Sequence, residues 1–360
     1  MAKDKLKNVK ISGIACCVPE DIIYMEEYND ILGKAEVDKF IKTTGIKQKH
    51  CNKSDVVITT GDLCYKAAEK LINELKIDRQ SIDVLLLVTQ SPDYIEPATA
   101  CVLQYRLGLS NDCIAYDINL GCSGYVYGLH TAATYLQSGN IKKVLLLAGE
   151  VGANISPLDN MLFGEAGTAT LLEFDNEQKD ISFLFKTIGS GYKHLIYPYG
   201  GIRHGIGDDN KYVKTSHNGT KYFVGDMDGT EVFNFTINEV PSLVSEYNDF
   251  IGATNSNYDL FILHQANLLI LNYLAKKIKI SKTLMPISMD IYGNTSSASL
   301  ALTICDYFNR TNLGDEVKKL NLLVCGFGIG LSLGITSFEI SSDRCFPVIC
   351  TKEGFEDGII

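Results

Sequence analysis

Asp117-Ile118-Asn119-Leu120-Gly121-Cys122-Ser123-Gly124 is the stretch around which this 360-residue chain is organised. It follows a short apolar run and precedes a segment of small and apolar residues, Tyr125 to Leu136, that has the composition of a helix. A cysteine between glycines at a helix start has little side-chain bulk around it, and the positive end of the helix dipole favours its thiolate. Cys122 is therefore a candidate nucleophile. The alternative is a buried, unreactive cysteine, which is the more common outcome in an apolar context.

The overall composition is that of an ordinary globular protein, with 46% hydrophobic and 21% charged residues. A net charge of −10 without a long basic run argues against a nucleic-acid surface. The eleven cysteines are scattered, with neither a CxxC pair nor a His/Cys cluster at zinc spacing. No apolar run reaches the roughly 18 residues of a membrane span, and no apolar segment of a secretory signal follows Met1. We therefore expect a reduced, cytoplasmic protein.

Continuous apolar runs bounded by polar residues predict strands that are buried on both faces, as in parallel sheets covered by helices. These runs are 83–89, 143–149, 167–174, 258–263 and 319–325. Segments with apolar residues at helical spacing lie between them. The helical segments are 22–31, 35–42, 60–75, 98–107, 227–247, 268–278 and 297–307. A strand followed by an exposed excursion is expected over 176–222. The pattern is that of an α/β protein.

The second half of the chain repeats the order of the first. Gly121-Cys122-Ser123-Gly124 aligns with Gly293-Asn294-Thr295-Ser296, and the strands on either side align as well. We interpret this as an internal duplication, with chance similarity of two α/β stretches as the alternative. The expected division is a half at 1–175 that carries the cysteine and a half at 176–360 that carries a histidine and an asparagine.

A nucleophilic cysteine needs a neighbouring base or hydrogen-bond donor and a site for an oxyanion. His264 ends a buried strand, where a polar side chain is unfavourable unless it meets a cavity or a partner. Asn294 stands at a helix start, where an N-cap is the alternative role. Under the duplication, the helix starts at Cys122 and Asn294 point to a common cleft. The combination of Cys122, His264 and Asn294 is more specific than any one of them.

The segment Gly326-Phe327-Gly328-Ile329-Gly330 is a glycine loop between the last two predicted strands. It does not match a dinucleotide-binding loop, because it lacks the full GxGxxG pattern and no helix follows it. A tight turn that brings a backbone N–H to the reacting centre fits better, and this N–H and that of Cys122 could stabilise an oxyanion. A simple β-turn is the alternative.

These motifs together resemble those of the 3-oxoacyl-[acyl-carrier-protein] synthase III group of thiolase-fold condensing enzymes. Weaker resemblances in the same order cover almost the whole chain. They are Thr44-Gly45-Ile46, Pro97-Ala98-Thr99-Ala100, Phe163-Gly164-Glu165, Tyr199-Gly200-Gly201 and Met227-Asp228-Gly229. The resemblance implies a thiolase-like five-layer αβαβα fold, built from two duplicated βαβαβαββ halves, and a homodimer.

The resemblance also implies a two-stage reaction and its partners. Cys122 would take an acyl group from a thioester, usually of coenzyme A. His264 and Asn294 would then donate hydrogen bonds to the thioester carbonyl of malonyl-acyl-carrier protein as it loses CO₂. The carbanion would attack the acyl-Cys122 and give a 3-oxoacyl product in fatty acid initiation. The loop Gly328-Ile329-Gly330 would hold the oxyanion. Coenzyme A and acyl carrier protein thioesters are substrates here, and no metal or other cofactor is implied.

The sequence departs from the family at the expected substrate sites. Lys39 and Thr43 replace a Trp and an Arg that commonly hold coenzyme A, and Glu96 replaces an apolar residue that lines the acyl pocket of the dimer partner. Lys39, Thr43, Glu96 and Asn267 are the predicted substrate contacts. A polar or carrier-bound primer of a specialised pathway, and acyl transfer without decarboxylation, are the alternatives. A non-catalytic partner subunit is a further alternative, against which the presence of Cys122, His264 and Asn294 argues.

Overall fold

The computed structural model describes residues 2–152, 160–178, 180–198, 201–204, 213–215, 221–223, 225–311 and 316–359. Tyr199 and Gly200 of the weaker motif, and much of the expected excursion within 176–222, lie outside these residues.

The secondary structure is mixed throughout the described chain. The strands are β1 Ala2–Leu6, β2 Val9–Pro19, β3 Ile22–Tyr24, β4 Gln48–His50, β5 Val84–Val88, β6 Ile114–Ile118, β7 Lys143–Glu150, β8 Ala166–Phe174, β9 Ile181–Thr187, β10 Leu195–Ile196, β11 Val213–Thr215, β12 Lys221–Phe223, β13 Asp226–Met227, β14 Leu260–Leu263, β15 Lys319–Gly328, β16 Ser332–Ser341 and β17 Ile349–Thr351. The helices are α1 Asn29–Leu32, α2 Lys34–Thr44, α3 Thr60–Leu75, α4 Thr99–Arg106, α5 Gly124–Tyr135, α6 Gly229–Ile251, α7 Leu268–Ile278, α8 Met289–Tyr292 and α9 Ser299–Arg310.

Two large sheets organise the described residues. One has the strand order β17-β2-β8-β7-β5-β6 and the other β1-β9-β16-β15-β14. The run β2-β8-β7-β5 of the first sheet matches β9-β16-β15-β14 of the second, because each has two antiparallel pairings followed by a parallel one. The helices α5 and α9 follow Cys122 and Asn294 respectively. This correspondence is the duplication that the sequence predicts.

The sheets and helices stack in five layers. Helices α5 and α9 lie between the two sheets, α3 and α4 cover the outer face of the first sheet, and α6 and α7 cover the outer face of the second. The central strands are fully buried because both faces meet helices; Leu85, Leu86 and Leu87 are each 0% exposed. Each such leucine stabilises the fold by about 1.5–3 kcal/mol. The αβαβα arrangement confirms the predicted fold class.

The first and last strands each pair with a strand that belongs to the other half of the chain. β1 pairs with β9 in the second sheet, and β17 pairs with β2 in the first. The division expected at residue 175 falls between β8 and β9. Among the described residues, no helix has both the length and the apolar character needed to cross a membrane.

The helix predicted over 22–31 is wrong for most of its length. The chain forms the short strand β3, then a 3₁₀ turn from Met25 to Tyr28, and becomes α-helical only from Asn29 to Leu32. Met25 and Tyr28 are buried. The apolar residues that suggested a helix therefore pack into the core from a tight turn. Strand β3 pairs with β4, a partner that helical spacing does not reveal.

Candidate active site

Cys122 lies in the turn between the end of β6 and the start of α5. The turn is tight because the N–H of Gly124 donates to the carbonyl of Gly121 at 2.7 Å. The two glycines are also packed closely: a Cβ at Gly121 would lie 2.3 Å from Gln90 Oε1, and a Cβ at Gly124 2.5 Å from Val88 Cγ1. Glycines on both sides of the cysteine therefore allow this approach, as the sequence predicted.

The end of β15 packs its backbone directly against Cys122. Gly328 has a φ of +154°, and a Cβ there would lie 2.6 Å from Cys122 Cβ and 2.9 Å from its Sγ. Only glycine fits this conformation and this space. The backbone N–H groups of Ile329 and Cys122 both interact with the sulfur. Backbone N–H donors therefore lie beside the cysteine side chain, where they can act on negative charge that develops there.

Two serines hold the turn after β15. Ser332 Oγ donates to the carbonyl of Ile329 at 2.7 Å and lies 2.7 Å from Ser123 Oγ. Ser332 therefore connects the cysteine turn, through Ser123, to the carbonyl group of Ile329. Gly330, with a φ of +138°, completes the turn, and the Gly330–Leu331 peptide is cis. The glycine segment predicted as a loop is thus partly strand, since β15 continues through Gly328.

The thiol of Cys122 is less acidic than the sequence suggested. The side chain is 9% exposed, and this burial raises its pKa above the ordinary value. The N–H of Ile329 and the hydroxyl of Ser296 lower this pKa, but they offset the effect of burial only in part. Ser296 Oγ lies 3.9 Å from Cys122 Sγ. Burial therefore opposes the stabilisation of the thiolate that the helix start is expected to provide.

His264 follows β14 and is buried beside β15. Its backbone N–H donates to the carbonyl of Cys325 at 3.0 Å, and its ring meets Phe327 edge-on with centroids 5.5 Å apart. Nδ1 lies 2.8 Å from Ser299 Oγ. Burial lowers the pKa of the ring to about 3, so His264 is neutral over the physiological range. Phe327 is next to Gly328, and His264 thus belongs to the surroundings of Cys122.

Asn294 lies beside the same turn and is held by its neighbours. Its backbone bonds with Leu162 and Gly164 at 3.0 and 3.1 Å. Its Oδ1 accepts the N–H of Ser296 at 2.9 Å, which directs its NH₂ group away from this bond. Ser296 has a left-handed φ of +48°, and its hydroxyl is the one beside Cys122 Sγ. The structure therefore links Asn294 to Cys122 through Ser296 and places it before, not within, the helix α9.

Glu150 is a polar residue of this region that the sequence reasoning missed. It ends β7, and its carboxylate accepts hydrogen bonds from Ser91 Oγ at 2.8 Å and from the N–H of Gln90 at 3.1 Å. Burial, with a contribution from Cys122, raises its pKa to about 8. The signal was available, because Glu150 directly follows the apolar run 143–149 just as His264 directly follows the run 258–263. Burial likewise raises the pKa of Tyr197, with Cys122 and Glu150 as further causes.

Lys39 and Thr43 come together in a surface pocket of about 390 Å³ that lies between α2 and α7. Its lining residues are Lys39, Lys42, Thr43, Leu268, Leu269 and Asn272. The pocket lies close to His264 along the chain, since Leu268 is separated from His264 only by residues 265–267.

Asn267 and Glu96, the other predicted substrate contacts, are outside this pocket. Asn267 caps α7 by accepting the N–H of Ile270 at 2.8 Å. Glu96 is exposed on the loop between β5 and α4, before the cis peptide to Pro97. A contact of either side chain with substrate stays a prediction.

Comparison with known proteins agrees with this geometry. The family model described as 3-oxoacyl-[acyl-carrier-protein (ACP)] synthase III matches residues 116–190, and the model of its C-terminal part matches residues 249–340. A beta-ketoacyl-[acyl-carrier-protein] synthase III of Streptococcus agalactiae is 31% identical over 90% of this chain and 97% of its own. The same enzyme of Clostridium perfringens is 29% identical over 93% of this chain and all of its own.

The chain belongs to the 3-oxoacyl-[acyl-carrier-protein] synthase III family. A crystal structure of a 3-oxoacyl-(acyl-carrier protein) synthase from Burkholderia xenovorans covers 97% of the chain and 99% of its own with a TM-score of 0.87 and 34% identity. The resemblance drawn from the motifs is thus confirmed, and so is the enzyme class. As a synthase III, the protein is a condensing acyltransferase that acts in the initiation of fatty acid biosynthesis.

Proposed function

We propose that this synthase III works through an acyl intermediate on Cys122, which then condenses with malonyl-acyl-carrier protein. The observation that supports this most directly is the contact of Gly328 and the Ile329 N–H with the Cys122 side chain. That backbone can stabilise negative charge next to the sulfur without any additional side chain.

In the first stage, Cys122 Sγ attacks the carbonyl carbon of an acyl thioester. A new C–S bond forms and the carbonyl oxygen becomes an oxyanion. Its collapse breaks the C–S bond to the donor, and the departing thiolate takes up a proton from solvent, which balances the proton that the Cys122 thiol releases. The N–H groups of Cys122 and Ile329 are the donors for this oxyanion. Acyl-coenzyme A is the default donor. Because burial keeps the free thiol protonated, the thiolate is a minor species that these donors stabilise when it attacks.

In the second stage, malonyl-acyl-carrier protein loses CO₂, and the electron pair of the broken C–C bond moves into the thioester as an enolate. Neutral His264 is suited to donate to the enolate oxygen from Nε2 when Ser299 donates its hydroxyl to Nδ1. The NH₂ group of Asn294 is the second donor, because Ser296 engages its oxygen. The carbanion then attacks the acyl-Cys122 carbon, and the thiolate leaves.

The pocket between α2 and α7 is the proposed binding site for the arm that carries the acyl group. Coenzyme A and acyl carrier protein share a phosphopantetheine arm with an anionic phosphate. Lys39 and Lys42 are exposed at this pocket, and Lys276 and Lys277 follow on the last turn of α7. The Lys39 pair with Glu36, at 3.6 Å, is exposed and therefore weak, so a phosphate can replace it. Thr43 offers a hydroxyl beside them.

We further propose a homodimer that pairs through β6. Within the described residues, β6 is an edge strand of its sheet with no neighbour beyond it. Exposed strand edges favour pairing with another chain. Apolar side chains surround this edge: Ile114 is 40% exposed and Tyr105 of α4 is 80% exposed. A cytoplasmic location fits the cysteines, since all eleven are free thiols.

A condensation assay tests the proposal. The protein, an acyl-coenzyme A and malonyl-acyl-carrier protein are expected to release CO₂ and 3-oxoacyl product in equal amounts. Cys122→Ala abolishes product formation, and Asn294→Ala lowers its rate by about 100-fold. Acyl transfer to other nucleophiles without CO₂ release would instead favour the non-decarboxylative alternative.

A further inference from the structure

Residues 349–359, which we call the strap, follow the part of the chain that matches the family model, which ends at residue 340. The strap begins as β17, parallel to the end of β2, with Thr351 opposite Pro19. The carbonyl of Thr351 accepts the N–H of Glu20 at 2.9 Å. From there the strap runs across α3 to the loop 90–98, which joins β5 to α4.

The strap is seated closely on the residues that precede α3. A Cβ at Gly354 would lie 2.1 Å from the backbone carbonyl oxygen of Val57, so this position needs glycine for space. One residue earlier, Glu353 pairs with Lys66 on α3. The Glu353 side chain is exposed, so its ion pair contributes little, and the close packing at Gly354 fixes the path of the strap before it reaches the loop.

Two strap side chains then contact the loop and the helix that follows it. The hydroxyl of Tyr94, in the loop, donates to the carboxylate of Asp357. This bond raises the pKa of Tyr94 to about 12 and lowers the pKa of Asp357. Phe355 lies on the guanidinium of Arg106 with 4.2 Å between the ring centroid and Cζ, and Arg106 is also paired with buried Asp62 at 2.9 Å.

The loop that the strap holds packs against the segment that presents Cys122, and the helix that follows the loop is hydrogen-bonded to that segment. At its start, Gln90 Oε1 lies where a Cβ of Gly121 would be, at 2.3 Å. At the start of α4, the N–H groups of Thr99 and Ala100 both donate to the Asp117 carboxylate at 2.8 Å. Asp117 is the penultimate residue of β6, and Gly121 immediately precedes Cys122. A shift of the loop therefore acts on both ends of the cysteine segment.

We propose that Tyr94 and Asp357 are positioning residues through which the strap fixes the loop 90–98, and with it the turn of Cys122, for acylation. The proposal rests on the acyl-Cys122 function proposed above. It assigns a catalytic contribution to a segment that lies outside the family model.

The test compares Tyr94→Phe and Asp357→Ala, with Glu353→Ala as the matched control that removes a strap contact to α3 instead. Hydrogen exchange of residues 90–98 is expected to accelerate about fivefold in the first two variants, because one charge-assisted hydrogen bond is lost. The single-turnover rate constant of Cys122 acylation at saturating acyl-coenzyme A is expected to fall about threefold to tenfold. The acyl-coenzyme A concentration that gives half of the maximal rate stays within about twofold of that of the unaltered protein. The double variant resembles either single one, because both remove the same bond.

Alkylation of Cys122 by iodoacetamide, followed by peptide mass spectrometry, separates the two proposals. If no donor acylates the unaltered protein, the proposed acyl-Cys122 function is wrong. Altered hydrogen exchange of the loop and altered alkylation of Cys122 in Tyr94→Phe and Asp357→Ala would still support positioning by the strap. The same exchange, alkylation and acylation in these variants as in the unaltered protein overturns the proposal. Equal effects in Glu353→Ala overturn it as well, because the role would then be general stability.

Discussion

Burial shifts the pKa values of three side chains of the candidate site, Cys122, Glu150 and His264. It raises the pKa of Cys122, raises that of Glu150 to about 8, and lowers that of His264 to about 3. Near neutral pH the site therefore holds a thiol and an uncharged imidazole. A neutral imidazole can donate one hydrogen bond without attracting the malonyl carboxylate as a counter-ion. This suits His264 to stabilise an enolate after CO₂ has left.

The first prediction concerns the pH dependence of Cys122. Its alkylation by iodoacetamide is expected to keep rising through about pH 9, because the thiolate is the nucleophile and burial raises the thiol pKa. His264 adds no inflection between about pH 5 and 7, since it stays neutral there. The rate is measured on the Cys122 peptide by mass spectrometry. A rate that is already constant by about pH 7 would contradict this.

The second prediction concerns stability and Glu150. The pKa of Glu150 is raised in the folded state, so the unfolded state binds fewer protons between about pH 4.5 and 8. The contribution of Glu150 to stability therefore falls as the pH rises through this window. Glu150→Gln is therefore expected to raise the melting temperature by about 5 °C at pH 9 and by much less at pH 5. The exposed Glu177→Gln is the control. A Glu150→Gln effect that is the same at both pH values would refute the assignment.

The third prediction concerns the orientation of His264. Ser299→Ala removes the hydroxyl that holds Nδ1 and is expected to lower the condensation rate about tenfold, with Cys122 acylation within about twofold of the unaltered protein. Single-turnover measurement of each stage separates the two effects. Ser299→Thr keeps a hydroxyl and should retain most of the condensation rate. Equal losses in both stages would show that Ser299 supports the whole site rather than the histidine.

At the scale of elements, the end of β15 packs against the side chain of Cys122. Gly328→Ala places a methyl group 2.6 Å from Cys122 Cβ and in a strained backbone conformation. We expect acylation to fall by more than about 100-fold and the free energy of unfolding to fall by about 1–3 kcal/mol. Acylation is read by intact mass, and stability by chemical denaturation.

Gly189→Ala is the matched control, because no described atom lies within 4 Å of a Cβ added there. Retained acylation in Gly328→Ala would show that the strand end is not part of the oxyanion site.

The elements that the sequence predicted well are those with a strong local pattern. Buried strands such as β5 and β7 are continuous apolar runs, and α7 was predicted at its observed bounds, Leu268–Ile278. The strand β1, Ala2–Leu6, was missed because its polar, partly exposed sequence lacks a strand pattern and depends on pairing with the distant β9. The same holds for β17, whose partner β2 lies at the other end of the chain.

The whole molecule joins two similar halves around the layer of α5 and α9, and the site lies where the starts of these helices meet. The duplication allowed Cys122 and Asn294 to be placed together from sequence. It could not reveal Glu150 as a neighbour of Cys122, or Ser296 as the link to Asn294, because these depend on contacts between distant segments. The strap contacts of Asp357 are of the same kind.

At this scale we predict the oligomeric state. Sedimentation equilibrium is expected to give twice the 39.7 kDa chain mass. The N–H of Ile114 donates inward to Asp83, so the N–H of Ala115 points to the open edge of β6. Ala115→Pro removes this donor and should shift the protein to monomers, while Ala115→Val should not. A dimer that is unaffected by Ala115→Pro would place the interface elsewhere.

The most direct test of the central claim is the intact mass of the protein after incubation with acyl donors. Acetyl-, short-, branched- and long-chain acyl-coenzyme A and the matching acyl carrier proteins form the panel, with Cys122→Ala as the control. We predict a gain equal to one acyl group, located on the Cys122 peptide and lost in Cys122→Ala, with the preferred donor identifying the primer. A gain that persists in Cys122→Ala, or no gain from any donor, would contradict the acyl-Cys122 intermediate.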